Sequence, residues 1–200
     1  MRIISGTSKG RKLLAPKNQS LRPTSDRVKE SIFNILGEEI KGKVVLDLFA
    51  GTGNLGIEAL SRGAKKVLFV EKGRQALRLI QKNLSQCGWK KESEIFPKDV
   101  HRAIGILKQR EECFDLILMD PPYQKGLIQK TLLKLQDLMI YHKDSILVIE
   151  HDRRESLPKI IDRWNLIRQR KIGDTVISFL TPRLSKLPLQ GEQQTEMNKE

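Results

Sequence analysis

The densest chemistry in this 200-residue chain stands in FDLILMDPPY, where an apolar run ends in Asp120, Pro121, Pro122 and Tyr123. The prolines bring carbonyls without N–H groups and hold φ near one value, so they stiffen the turn that follows the run. The Asp120 carboxylate and a nearby carbonyl then form a rigid pair of acceptors, which suits an amine with two hydrogens. An exocyclic amine of a nucleobase is a poor nucleophile because its lone pair is delocalised into the ring. Bonding both hydrogens helps hold the nitrogen toward tetrahedral geometry with its lone pair aimed at an electrophile, so positioning and charge stabilisation carry the reaction. Tyr123 offers a flat face to an extruded base, a stack worth roughly 1–3 kcal/mol. The plainer reading of Tyr123 is a strand-end tyrosine that covers the core.

A second constellation lies in LDLFAGTGNLG, with Asp47 at the end of a buried strand and Gly51, Gly53 and Gly56 in the turn into a helix. Glycines there let the backbone pass close to a ligand, and amides at the helix start face it. The spacing by itself also fits a dinucleotide turn or a tight structural turn. Asp47 separates these readings: a carboxylate would repel the phosphates of a dinucleotide and attract the α-amino cation of S-adenosylmethionine. Glu71 closes KVLFVE, twenty residues after Gly51, where a carboxylate can accept bonds from both ribose hydroxyls of an adenosine. Asp99, ending FPKD, can meet an adenine amine or cap the helix that begins at Val100. Asp47, Phe49, Gly51, Gly53, Glu71 and Asp99 make up the candidate cofactor set.

Placing those residues takes a parallel sheet. From Val44 apolar runs alternate with helical patterns: VVLDLF, a helix over 54–62, KVLFVE, a helix over 74–86, SEIFPKD, AIGILKQ, FDLILMD, a helix over 125–139 and SILVIE. Strand and helix alternating without hairpins imply a parallel sheet covered on both faces. WNLIRQRKIGDTVISFLTP breaks the pattern, since two β-rich runs around Gly-Asp form a hairpin signal and the last two strands should be antiparallel. The expected class is therefore α/β and Rossmann-like, with a mostly parallel seven-stranded sheet and a C-terminal antiparallel hairpin. Ahead of it, RIISGTSKGRKLLAP predicts a small hairpin of strands 2–5 and 11–14. An amphipathic helix follows, with Val28, Ile32, Ile35, Leu36 and Ile40 at helical spacing. The implied division is an arm over 1–43, a catalytic domain over 44–182 and a disordered polar tail over 183–200.

The net charge of +13 fits a polyanionic partner, because neutralising phosphates releases counterions. Its distribution is uneven. Residues 1–29 carry Arg2, Lys9, Arg11, Lys12, Lys17, Arg22, Arg27 and Lys29 against Asp26 alone, a net of +7. Of these, Arg2, Lys9, Arg11, Lys12, Arg22 and Arg27 are the candidate nucleic-acid-binding residues. No apolar run is long enough to span a bilayer and no secretory leader is evident, so a cytoplasmic protein is expected. Cys87 and Cys113 lack metal or disulfide spacing, His101, His142 and His151 are scattered, and no metal site is expected. Trp89 and Trp164 sit near element boundaries as packing residues.

With FAGTG and DPPY both placed, the chain resembles class I methyltransferases that act on amines. RIISGTSKGRKL, LRPTSDRVKESIFN, LDLFAGTGNLGIEALSRGA and ILMDPPY together resemble the bacterial small-subunit ribosomal RNA guanine-N2 methyltransferases, over about residues 2–181. The resemblance implies S-adenosylmethionine as donor and a guanine amine of 16S rRNA as acceptor. It also implies an enzyme that works on RNA bearing bound ribosomal proteins, in an assembling small subunit; a monomer is expected, although the sequence does not decide whether the chain dimerises. It assigns Asp47, Gly51, Gly53 and Glu71 to the cofactor and Asp120 to Tyr123 to catalysis. EKGRQAL after Glu71 departs from the acid-rich wording of such motifs, and DPPY alone does not separate guanine from adenine or cytosine. The competing readings are a DNA adenine methyltransferase, which usually carries a separate target-recognition domain, and a non-catalytic RNA-binding module, which needs neither DPPY nor the strand-end carboxylates.

Overall fold

A computed structural model of the chain describes residues 1–16, 25–123, 126–155, 157 and 163–183. Seven strands form one sheet in the order β3-β2-β1-β4-β5-β7-β6. They are β1 (Val44–Leu48), β2 (Lys66–Val70), β3 (Ser93–Phe96), β4 (Phe114–Met119), β5 (Tyr141–Asp152), β6 (Trp164–Ile172) and β7 (Thr175–Pro182). The first five pair in parallel, while β7 runs antiparallel to both β5 and β6. The terminal hairpin is thus as the sequence predicts. Its placement is not legible there: β7 inserts between β5 and β6, which leaves β6 as the outer edge.

The helices are α1 (Asp26–Leu36), α2 (Asn54–Ser61), α3 (Arg74–Cys87), α4 (Val100–Gln109) and α5 (Leu127–Leu138). They divide between the faces of the sheet and bury two cores. Val28, Ile32, Phe33, Ile57 and Ile80 pack with Val45, Phe69 and Leu118 on one face. Ala103, Ile104, Leu107, Leu132 and Leu135 pack with Leu46, Leu68 and Ile117 on the other. Alternation along each strand feeds both cores, which is why the central strands read as continuous apolar runs.

The N-terminal hairpin departs from expectation. It shrinks to a single antiparallel bridge, Arg2 to Lys12, supported by Ile3 N–H to the Arg11 carbonyl at 3.0 Å and Gly10 N–H to the Ile3 carbonyl at 2.8 Å. The next amides are taken elsewhere: Ile4 and Ser5 donate to the Glu58 carboxylate of α2 at 2.8 and 3.0 Å. Ile3 and Leu13 are buried in the same core as α1 and α2, so this segment is packed against the sheet domain. Gly6, at φ 83°, lies so close to α2 that a Cβ would fall 1.7 Å from the Ser61 carbonyl oxygen. The tail expected over 183–200 lies outside the described residues apart from Arg183, and so does the start of the helix expected from Lys125.

Candidate active site

The site lies where the strand order reverses, between β1 and β4, beyond the carboxyl ends of the strands, the place where open α/β sheets hold ligands. A cavity of about 370 Å³ opens there, lined by Asp47, Phe49, Gly51, Glu71, Asp99, Asp120, Pro121, Pro122 and Tyr123 among others. Its size falls within the range of roughly 300–1,000 Å³ for small-molecule sites. Nine of the ten residues singled out as cofactor or catalytic candidates therefore converge. The tenth, Gly53, does not face the cavity. At φ 78° it turns the chain into α2 behind the loop, with a Cβ position 3.3–3.4 Å from Ile57, Ile80 and Phe69.

The turn between β1 and α2 is built under constraint. Phe49 has φ 60°, a left-handed conformation that costs a residue with a Cβ of order 1–3 kcal/mol, and Gly51 follows at φ 56°. Two carboxylates hold the turn. Asp47 is buried and accepts from the Gly56 amide at 2.9 Å. Glu71 accepts from the Gly51 amide at 2.9 Å through one oxygen, and from the Lys72 and Gly73 amides at 2.8 and 2.6 Å through the other. Gly56 has no room for a side chain, since a Cβ would sit 2.3 Å from the Phe69 ring and 2.9 Å from an Asp47 oxygen.

Burial pushes the Asp47 carboxyl up to about 8; the Gly56 amide opposes that shift, and the charges of Asp120 and Glu71 add to it. Three carboxylates around one cavity disfavour each other's ionisation and favour a cation. For Asp99, burial raises the pKa, but the Lys72 ammonium at 3.1 Å and the His101 amide at 3.0 Å outweigh it and hold the group below its ordinary value. Asp99 caps α4, as one sequence reading expects, and also lines the cavity. Asp120 and Tyr123 are half-buried, Pro121 is buried and Pro122 exposed.

S-adenosylmethionine carries a sulfonium, an α-amino cation and an adenosine, and the residues present fit it. Asp47, beside the glycine turn, would meet the amino group, Glu71, just after β2, the ribose hydroxyls, and Asp99 the adenine amine, all three lining the same cavity. A dinucleotide would bring phosphates against the same carboxylates.

Several contributors were not legible in the sequence. Pro16, Lys72, Lys98, Asn54 and Leu55 also line the cavity. Asn83 on α3 accepts from the Leu14 amide at 2.8 Å and donates to the Leu14 and Thr52 carbonyls at 3.2 and 3.1 Å, clamping the N-terminal segment to the glycine turn. Lys29, counted in the net charge of residues 1–29, is fully buried. Its ammonium donates to Asn54 at 2.7 Å and to the Arg2 carbonyl, and lies 3.5 Å from the buried Glu58 carboxylate. It is a structural cation and is unavailable to a polyanion. Burial lowers its pKa, with Glu58 opposing.

Among the candidate nucleic-acid residues, Arg2, Lys9, Arg11, Lys12 and Arg27 are exposed, and Arg22 lies outside the described residues. Arg2 pairs with Asp26 at 3.4 Å and Arg11 reaches the Gln86 carbonyl, so both are partly tied down. Trp164 is buried and stacks on Tyr141 with centroids 4.6 Å apart, a packing role. Among the described residues no helix is long and apolar enough to cross a membrane.

Comparison with known proteins agrees with this geometry. The family model described as conserved hypothetical protein 95 matches residues 1–181. The ribosomal RNA small subunit methyltransferase D of Escherichia coli is 33% identical over 192 residues, covering 96% of this chain and 92% of the relative. A Bacillus subtilis protein assigned as an rRNA methyltransferase is 38% identical over 183 residues, covering 92% of this chain and all of the relative. The solved structure of an Escherichia coli protein assigned as a methyltransferase superposes with a TM-score of 0.80 at 29% identity, over 92% of this chain and 98% of that one. With a cavity suited to a sulfonium cofactor at the switch point of a Rossmann-like sheet, the chain belongs to the conserved hypothetical protein 95 family and, by its likeness to the Escherichia coli enzyme over nearly the full length of both, to the small-subunit ribosomal RNA methyltransferases.

Proposed function

We propose that this protein transfers a methyl group from S-adenosylmethionine to the exocyclic N2 amine of a guanine in 16S rRNA during small-subunit assembly, with residues 1–43 serving as an RNA-binding arm. The observation that carries the reading is the meeting of Asp120-Pro121-Pro122-Tyr123 with Asp47, Glu71 and Asp99 around a single cavity. S-adenosylmethionine supplies an electrophilic methyl on a sulfonium. The protein supplies position and charge. Asp120 and a backbone carbonyl of the double-proline turn hold the two amine hydrogens, which aims the nitrogen lone pair into the cavity. As the nitrogen turns positive, the Asp120 carboxylate stabilises it, and the surplus proton passes by way of that carboxylate to solvent. Tyr123 stacks on the extruded purine and fixes its plane.

Guanine is favoured over adenine by the resemblance of four stretches to the guanine-N2 enzymes, and RNA over DNA by the named relatives. The test is transfer of tritium from labelled S-adenosylmethionine into 16S rRNA and into reconstituted small-subunit particles, followed by nucleoside chromatography. N2-methylguanosine is the expected product. Label in methyladenosine, or label accepted by DNA alone, would overturn the assignment.

A further inference from the structure

The arm is not the only basic surface. Between the outer side of α1 and the edge strand β6 runs a cleft lined by Arg27, Arg168, Arg170 and Lys171, with Glu30 as its one acid. Arg27, Arg168, Arg170 and Lys171 are all exposed, and none of the four forms an ion pair with a carboxylate among the described residues. Elsewhere on the molecule some cations do have carboxylate partners: Arg2 pairs with Asp26, Lys43 with Asp115 and Arg153 with Asp174. Leaving four cations on one cleft without such partners holds a positive potential ready for an anion.

Two features of the fold aim this cleft. A bulge shifts the β6–β7 register between Leu166, opposite Leu180, and Arg168, opposite Phe179. Leu180 belongs to the core under α4 and α5, whereas Phe179 and Ile177 belong to the core under α1. Without the extra residue Ile167, Arg168 and Arg170 would turn to the opposite face. With it they stand opposite Phe179 and Ile177, on the side of Arg27. The second feature is level. Met119 pairs with Ile149, Ile149 with Ser178, and Ser178 with Gln169, so Arg170 stands level with Asp120 across the sheet. Three strand spacings separate β4 from β6, roughly 14 Å at about 4.8 Å each.

We propose that this cleft binds the phosphate backbone of the substrate RNA a few nucleotides from the target base, with Arg27, Arg168 and Arg170 each meeting a phosphate, and so sets the register in which the base enters the site. The proposal rests on the rRNA methyltransferase reading above. Two basic surfaces, the N-terminal segment and this cleft, then flank the strand that feeds the cavity.

The test uses the full chain and the triple variant Arg27→Gln, Arg168→Gln, Arg170→Gln, with the corresponding triple lysine variant as the charge-retaining control. Binding of 16S rRNA is followed as a function of monovalent salt. The slope of log affinity against log salt should fall by roughly 2 in the glutamine variant, at about 0.7 per neutralised phosphate on single strands, and should be kept by the lysine variant. Melting temperature and S-adenosylmethionine affinity should not move, and KM for the RNA should rise more than kcat falls. An unchanged slope for the glutamine variant, with the full chain methylating 16S rRNA normally, overturns the cleft alone. The same holds if that variant binds bare 16S rRNA normally and fails only on protein-bearing particles, for the cleft would then face a protein. Failure of the unaltered chain to methylate rRNA at all overturns the functional reading and the cleft together.

Discussion

Asp120 carries a charge that matters most as the amine nitrogen becomes positive, whereas Asp47 meets a charge already present on the cofactor. Their substitutions should therefore separate. Asp120→Ala should lower kcat on the order of 10²-fold or more, the size seen when one preorganised electrostatic partner is removed, while cofactor affinity persists. Tyr123→Phe keeps the stacking face and should be mild, and Tyr123→Ala should be severe. Single-turnover methyl transfer beside calorimetric cofactor binding checks all three. Asp47 adds a pH signature. Its carboxyl is pushed up to about 8 in the folded protein, against the ordinary value near 3.9 when unfolded. Between those values the unfolded chain has released a proton that the folded one retains, so stability should fall as pH rises from about 4 to about 8 and then level off. Asp47→Asn should flatten that slope in thermal melts. Docking of the α-amino cation favours the ionised carboxylate, so cofactor binding near pH 7 should release protons. Titration calorimetry in buffers of differing ionisation enthalpy will show it, and Asp47→Asn should abolish the release.

Among the elements, α2 does the most positioning. Its first residue, Asn54, touches the cavity and Lys29; Glu58, one turn on, takes two N-terminal amides and Arg62 at 2.9 Å; Ser61 hydrogen-bonds Ser5 and Ser8. Glu58→Ala would leave Lys29 buried without its carboxylate and strand those amides. The expected cost is about 3 kcal/mol or more, with protease cleavage ahead of Pro16 as the visible sign. Lys29→Met removes the other charge, yet Glu58 retains Arg62 and the two amides, so it should be milder. Gly56→Ala tests the packing of α2 on β2. The added methyl must displace the Phe69 ring and an Asp47 oxygen, which should cost roughly 1–3 kcal/mol and weaken cofactor binding beyond what the loss of stability explains. Melting temperature and calorimetric affinity, measured on one preparation, separate the two effects.

At the scale of the whole molecule, the cofactor cavity and the basic cleft beside β6 share no lining residue, so substrate affinity and cofactor affinity should vary independently. Neutralising Arg11, Lys12 and Arg22 together should flatten the salt dependence of RNA binding by up to about 0.7 to 0.9 for each phosphate the segment ceases to neutralise, with cofactor affinity unchanged. If both affinities fall together, the segment acts through the fold, which Asn83 and Glu58 would transmit. The packing of Ile3 and Leu13 into the sheet's core makes that outcome physically accessible and the control necessary.

The order of strands and helices, the antiparallel end and the nine cavity-facing candidates follow from sequence because each rests on local rules: periodicity, turn residues and strand-end chemistry. Asp120, Glu71 and Asp47 end strands whose apolar runs announce them, and in a parallel sheet strand ends share one edge. What needed the tertiary structure was every fact that depends on long-range packing. Lys29 reads as one more basic residue until Glu58 and Asn54, far along the chain, close over it. Ile4 and Ser5 read as strand until the Glu58 carboxylate competes for their amides. Gly53 reads as part of the glycine turn, and that Phe69 and Ile80 leave its Cβ position little room shows only in the tertiary structure. Arg168 and Arg170 have no face until β7 sets their register and the bulge at Ile167 turns them toward α1. Local spacing decides which backbone a segment prefers; which polar groups lose water, and to which partners, is decided only when distant segments meet.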